Sequence, residues 1–185
     1  VTALLDNLTI RLATVNDFEQ YVNLLQITYE TCSTNSSLGL TKECFSTEMM
    51  ATDESVKYLH SYLEITPTHK AWIAEIDGKI IGAITCEVRS QFEAEIVAFY
   101  VHPQYQHQGV GKKLYAKALD FAGQRDVMLD VYAHSTHVIA MYKKWGWKLD
   151  ESRGEHGTFL LHWRGWPNNV HVPCVYLRLN QHIKL

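Results

Sequence analysis

The sequence predicts an α/β (α+β) domain: a mixed, mostly antiparallel central sheet with helices on both faces. Three observations carry this expectation. Two apolar runs flank Asp77-Gly78, a dipeptide that favours a tight type I′ turn, so residues 70–76 and 79–88 pair as an antiparallel hairpin. The apolar periodicity switches along the chain in the order β-α-α-β-β-β-α-β-α-β-β, where runs of strands are interrupted by crossover helices. With 46% apolar and 20% charged residues in 185, the chain has enough material for one core, and it shows no repeat or linker, so residues 1–185 read as one domain.

Each element has its own signal. Leu8, Ile10 and Leu12 alternate with Thr9, Arg11 and Ala13, as in a half-buried strand. Thr14 or Asn16 caps the helix that follows, which places Phe18, Leu25 and Tyr29 on one face. Residues 32–40 form a polar loop, expected to be mobile. A second helix is expected over residues 41–64, with a polar middle at residues 52–55 that can break it. After the hairpin, an apolar run from Ile96 to Val101 ends at Pro103. Val110, Leu114, Ala118 and Phe121 make the buried stripe of a helix over residues 109–122. Residues 126–133 form a strand, and residues 136–145 a helix ended by Gly146. Residues 147–152, 158–163 and 173–179 are strand segments, and residues 165–171 are a loop.

Composition excludes several classes. A net charge of −3, with no basic block, argues against a nucleic-acid partner. The four cysteines are scattered and form no CxxC, so free thiols and a cytoplasmic setting are expected. The ten histidines lack the spacing of a metal site, so no metal is expected. The first residues show neither a basic segment nor a long apolar core, and no apolar run is long enough to span a membrane.

The chemistry concentrates between Glu93 and Ala122. A strand is followed by a polar turn, by Gln106-His107-Gln108-Gly109-Val110-Gly111, and by a helix that opens with Lys112 and Lys113. Glycines permit close backbone approach, and the helix start supplies free N–H groups and a positive end, which together suit a pyrophosphate. Taken alone, the same glycines could simply turn the chain. Gln106-x-x-Gly109-x-Gly111 resembles the R/Q-x-x-G-x-G/A motif of the GNAT N-acyltransferase superfamily. The later segment YKKWGW resembles that family's FYEKxGF, with Tyr142 in the tyrosine slot and Trp147 in place of the final Phe. The order of elements is similar over most of the chain.

The resemblance implies acetyl-CoA as co-substrate and a splay between the motif strand and the next one. It places pantetheine on the backbone of Phe99, Tyr100 and Val101, and the pyrophosphate on Gln106, His107, Gln108, Gly109, Val110, Gly111 and Lys112. Ser135 stands seven residues before Tyr142, where many members have an asparagine that contacts CoA.

Acyl transfer to an amine needs a base, an oxyanion donor and an acid. An alkyl amine has a pKa of about 10 and is mostly protonated near neutrality, while a thiolate of pKa about 8.5 leaves more easily when it receives a proton. The resemblance assigns Tyr142 as the acid, although its i, i+3, i+4, i+7 stripe with Val138, Met141 and Trp145 also fits core packing. Glu95 is the base candidate, eleven residues before Gln106, within a quartet similar to the one bearing the catalytic glutamate in the histone-acetyltransferase branch. The bland reading of Glu95 is a surface carboxylate at a strand start, paired with Arg89 or a lysine, and Glu93 stands in reserve as the base. A backbone amide near Val101 is the expected oxyanion donor.

The acceptor is expected to be a small-molecule or peptide amine, met by residues 29–41 and 154–171. Their acids and aromatics suit a cation, and the paired helices weakly resemble polyamine-acetyltransferase-like members. Protein or peptide N-acetylation and a non-catalytic acyl-CoA-binding module stand as alternatives. The late strands, with Trp163 and Trp166 near an exposed loop, offer an edge for a homodimer.

Overall fold

The computed structural model describes residues 7–181. The expectation that no leader segment opens the chain falls partly on residues outside that range. Among the described residues the chain forms one eight-stranded sheet with strand order β1-β2-β3-β4-β5-β8-β6, and β7 pairs with β8 beside β6. The strands are β1 Thr9–Leu12, β2 His69–Ile76, β3 Lys79–Val88, β4 Glu93–Val101, β5 Asp126–Tyr132, β6 Lys148–Leu149, β7 Thr158–Leu161 and β8 Val172–Leu179. All neighbours are antiparallel except β4 and β5.

The β2–β3 hairpin has the turn expected of it. Asp77 and Gly78 both take positive φ, 49° and 78°, which matches the right-handed twist of the paired strands. Helix α1 (Phe18–Cys32) buries Tyr21, Leu24 and Leu25 against one sheet face. Helices α4 (Val110–Ala122) and α5 (Thr136–Lys144) cover the other, where Val110, Leu114, Ala118 and Ala122 are fully buried with Val127 and Leu129 of β5.

Three expectations change. The second helix is not continuous: a 3-10 turn (Lys42–Phe45) precedes short α2 (Thr47–Met50) and α3 (Asp53–Ser61). Ser46 and Thr52 start new helices by accepting bonds from Met49 N and Ser55 N, so a hydroxyl satisfies first-turn donors at each restart. The polar stretch after α1 is anchored. Asn35 and Leu40 form a β-bridge, the Asn35 side chain accepts from Ser37 N, and Leu40 is completely buried. The loop over residues 165–171 is anchored too. Trp166 is buried against Phe45 and donates Nε1–H to Cys44 O at 3.1 Å, so its ring faces inward, while Trp163 stays half-buried.

Candidate active site

The site is a gap in the sheet. β4 and β5 pair only at Glu93↔Asp126, Ala94↔Val127 and Glu95↔Met128. Beyond that point β4 continues to Val101 along β3, and β5 continues to Tyr132 along β8. The two strands stay held by opposite neighbours, so between them unpaired backbone faces an open wedge.

The backbone polarity of the wedge can be read from its edge. His102 donates N–H to Ile81 O at 2.8 Å, toward β3. Across a trans peptide the Val101 carbonyl then points the other way, into the gap, and in an extended residue its N–H follows. The Gln106 side chain fits this geometry, donating Nε2–H to Val101 O at 3.0 Å. Val101 N–H is therefore a donor aimed into the gap, in phase with Phe99, and Tyr100 is turned toward β3.

At the open end the chain turns into α4. Gly109 is its N-cap with φ 89°, a left-handed conformation that a side chain disfavours. Lys113 N bonds Gly109 O at 3.2 Å, so the amides of Val110, Gly111 and Lys112 precede the first intrahelical bond. His107 also takes positive φ, 61°, and Gln108 folds back to Gln104 O at 2.8 Å. A Cβ on Gly111 would meet Phe99 at 3.5 Å and Val101 at 3.6 Å, ordinary contacts. The protein's own packing thus does not demand glycine there.

Tyr142 approaches from the α5 side. Ser135 is the N-cap of that helix without spending its hydroxyl on a cap bond, and Gly146 at φ 91° follows the helix end. Tyr142 is 4% exposed and packs in the cluster that holds Ile96 and Leu129 of the diverging strands. Its ring edge meets Trp147 at 5.3 Å and Trp145 at 5.8 Å. Burial, and then the neighbouring Tyr115, push the phenol well above its ordinary range, so it stays protonated.

Glu95 lies at the closed end. It accepts from Arg89 Nε at 2.8 Å and from Arg153 at 3.1 Å, one guanidinium on each oxygen. The expected pairing with Arg89 is present, and Arg153 adds a second. A carboxylate that sequence reasoning missed stands further along the wedge. Asp130 falls on the same sheet face as Met128 and Tyr132 by strand alternation, beyond the last β4–β5 pair and opposite Tyr176. Its side chain is exposed to solvent, which screens it, while its desolvating surroundings and the charge of Glu95 push its pKa upward against the opposing pull of Arg153. Its signal was the alternation of Val127, Leu129 and Val131 toward the core, which forces the residues between them to the opposite face.

Two nearby histidines hold backbone groups. His102 Nδ1 accepts from Gln104 N at 3.3 Å as a cap. His134 Nε2 meets Ser33 O at 2.9 Å, which ties the end of β5 to the end of α1. The Cys86 thiol is fully buried and pushed up to about 12, so it rests as a small apolar group. All four cysteines are free.

The model of the Acetyltransferase (GNAT) family matches residues 34–147, which hold the wedge, the glycine turn and α5. The chain belongs to the GNAT family of acetyltransferases. Among curated proteins it is 29% identical over 89 residues to an uncharacterized N-acetyltransferase of Methanocaldococcus jannaschii, covering 43% of this chain and 39% of that one. It is 38% identical over 60 residues to an uncharacterized N-acetyltransferase of Archaeoglobus fulgidus, covering 29% of this chain and 41% of the relative. The match thus spans about two fifths of those relatives' length. Among solved structures, PaiA N-acetyltransferase of Thermoplasma acidophilum in complex with coenzyme A aligns at TM-score 0.56 and 19% identity, over 91% of this chain and 98% of that one. The ribosomal-protein-S18-alanine N-acetyltransferase of Escherichia coli aligns at 0.64 and 17%, over 96% of each chain. At these identities the likeness to the solved structures is one of fold. Within the GNAT family match, the glycine turn and Tyr142 fall inside the matched region, while α1 and Trp163 and Trp166 fall outside it.

Proposed function

We propose that the chain is an N-acetyltransferase that moves the acetyl group of acetyl-CoA to a primary amine by direct attack within a ternary complex. The observation that carries this reading is the wedge: parallel pairing that stops at Glu95↔Met128, with the glycine-capped start of α4 at its mouth. The free amides of Val110, Gly111 and Lys112 suit a pyrophosphate. Gln106, His107 and Gln108 shape the turn, the backbone groups of Phe99 and Val101 line the pantetheine path while those of Tyr100 between them pair with β3, and the uncommitted Ser135 hydroxyl adds one polar contact.

The residues divide the work. The amine nitrogen attacks the thioester carbonyl as Val101 N–H stabilises the developing oxyanion. The C–S bond breaks, and the departing sulfur takes a proton from Tyr142, whose buried phenol is in the acid form. The amine must lose a proton in turn. Glu95, the base expected from the motif, has both oxygens on arginines. Asp130 faces the open part of the wedge with a raised pKa, closer to that of a working base, so we assign it the proton and give Glu95 an anchoring role.

The test is thiol release from acetyl-CoA across an amine panel, with Tyr142→Phe as the variant. Turnover is expected to fall about 10²-fold while acetyl-CoA affinity holds. Tight CoA binding without thiol release from any amine would instead support a non-catalytic acyl-CoA-binding module.

A further inference from the structure

Beside the wedge, on the face that carries Asp130, lies a cavity of about 70 Å³. Its walls come from separate parts of the chain: Tyr29 of α1, Phe45 and Tyr58 around α2 and α3, Tyr100 and Tyr132 from the two diverging strands, and Trp166 from the late loop. At roughly 10–15 Å³ for one water, the enclosed space holds about five, and its Tyr58 wall is 45% exposed, so a ring seats at the open side of the cavity rather than wholly within it. None of the lining residues is Asp, Glu, Lys or Arg.

The polar atoms of the walls are largely spent on each other. Tyr29 Oη and Tyr100 Oη share a hydrogen bond of 2.8 Å, Tyr62 donates to Tyr58 Oη at 2.5 Å, and Trp166 donates to Cys44 O. What remains toward the space is aromatic faces and edges with Met49 and Met50. Tyr29 stacks on Phe45 at 4.8 Å, Trp166 meets Phe45 edge-on, and Trp163 tilts over Tyr58 at 5.2 Å. A polyamine would bring a second primary ammonium here; the ring faces attract a cation, but its three N–H donors would find no carboxylate in the walls to offset their lost hydration. A planar apolar group gains from burial and from offset and edge contacts with these rings.

We propose that this cavity binds the body of the acceptor, and that the acceptor is a primary amine carried a few bonds from an uncharged aromatic group. This rests on the reading of the wedge as the acetyl-CoA site. Tyr100 and Tyr132 belong both to the cavity and to the strands that bound the wedge, so a ring seated among them leaves its amine beside Asp130 on the same face. The chemistry can be supplied by a free arylalkylamine or by the first residue of a peptide that begins with an aromatic side chain.

The experiment compares kcat/KM, by thiol release from acetyl-CoA, for 2-phenylethylamine, tryptamine, spermidine, and peptide amides beginning with Phe or Gly. The aromatic amines, or the Phe peptide over the Gly peptide, are expected to lead by about tenfold or more. A lead by the free amines alone or by the Phe peptide alone names the source. Tyr58→Ala, at a half-open wall position that is 45% exposed, is expected to raise KM for the preferred aromatic acceptor while acetyl-CoA affinity holds. Spermidine matching or exceeding every aromatic acceptor, or Tyr58→Ala leaving the preference intact, overturns the proposal. Should no amine turn over, thermal melting with CoA present still decides it. A higher Tm with 2-phenylethylamine or the Phe peptide, absent in Tyr58→Ala, supports the cavity assignment without the activity, and no shift with either refutes it.

Discussion

At the scale of single residues, Glu95 and Asp130 separate two ways of using a carboxylate. Glu95 is 9% exposed and saturated by Arg89 and Arg153, so its charge stabilises the closed end of the wedge. Asp130 has no such clamp, and its charged form is disfavoured. Asp130→Asn is expected to lower kcat about 10²-fold and to remove an acidic limb of the pH–rate profile lying above the ordinary carboxylate range. Glu95→Gln is expected to change turnover little and to lower thermal stability, because it leaves the two guanidinium groups without their shared carboxylate. Loss of the limb in Glu95→Gln, with Asp130→Asn unchanged, would reverse the assignment. Stability carries its own sign. The folded Asp130 carboxyl holds its proton more tightly than the unfolded one, so stability falls as pH rises through the raised pKa. Asp130→Asn is therefore expected to melt higher than the parent at neutral pH, a gain that fades in acid.

At the scale of elements, the start of α4 is where local sequence and function coincide. Gly109 must adopt φ 89°, and no neighbouring atom would obstruct a Cβ there, so the demand is conformational rather than steric. Gly109→Ala is expected to cost about 1–2 kcal/mol, seen as a fall of about 2–8 °C in Tm, and to weaken CoA binding measured by calorimetry because the first-turn amides shift. This element was legible in the chain: glycine spacing, a preceding apolar run and a following amphipathic stripe all act within a few residues. The same is true of the Asp77-Gly78 turn. The segment between Thr41 and Glu64 was less legible. Its apolar spacing suits one helix, but Ser46 and Thr52 offer the backbone alternative partners, and the restarts turn Phe45 and Met49 toward Trp166 and the cavity.

At the scale of the whole molecule, β8 closes the structure. It pairs with β5 on one side and with β6 and β7 on the other, and so holds the outer bank of the wedge. Arg178 bolts this strand across the sheet, bonding Glu93 of β4 at 3.0 Å, Asp126 of β5 at 3.5 Å and Asp150 at 2.9 Å. Burial opposes the Asp150 charge, yet the Ser152 and Arg178 hydrogen bonds hold its carboxyl below the usual range. Arg178→Met strands a carboxylate that is 5% exposed and is expected to cost about 3 kcal/mol in urea unfolding at pH 7. A lowered pKa stabilises above the ordinary carboxylate value and loses that share as pH falls through the lowered one, so the deficit should narrow in acid.

The sequence by itself determined the order of most elements along the chain, the hairpin, the glycine-capped helix and the place of Tyr142 on its helix, because these depend on periodicity, turn chemistry and a short motif. It also located Glu95, but it could not tell a base from an ion-pair partner. That distinction depends on Arg153, 58 residues away, which only the folded chain brings into contact. Tertiary structure alone decided where β4 and β5 part, since strand pairing reflects which neighbours compete for each edge. It also decided that Asp130 lies beyond the last β4–β5 pair, and that aromatic residues from Tyr29 to Trp166 enclose one cavity. No local pattern records those meetings, because the contacts that enclose the cavity join segments far apart in the chain.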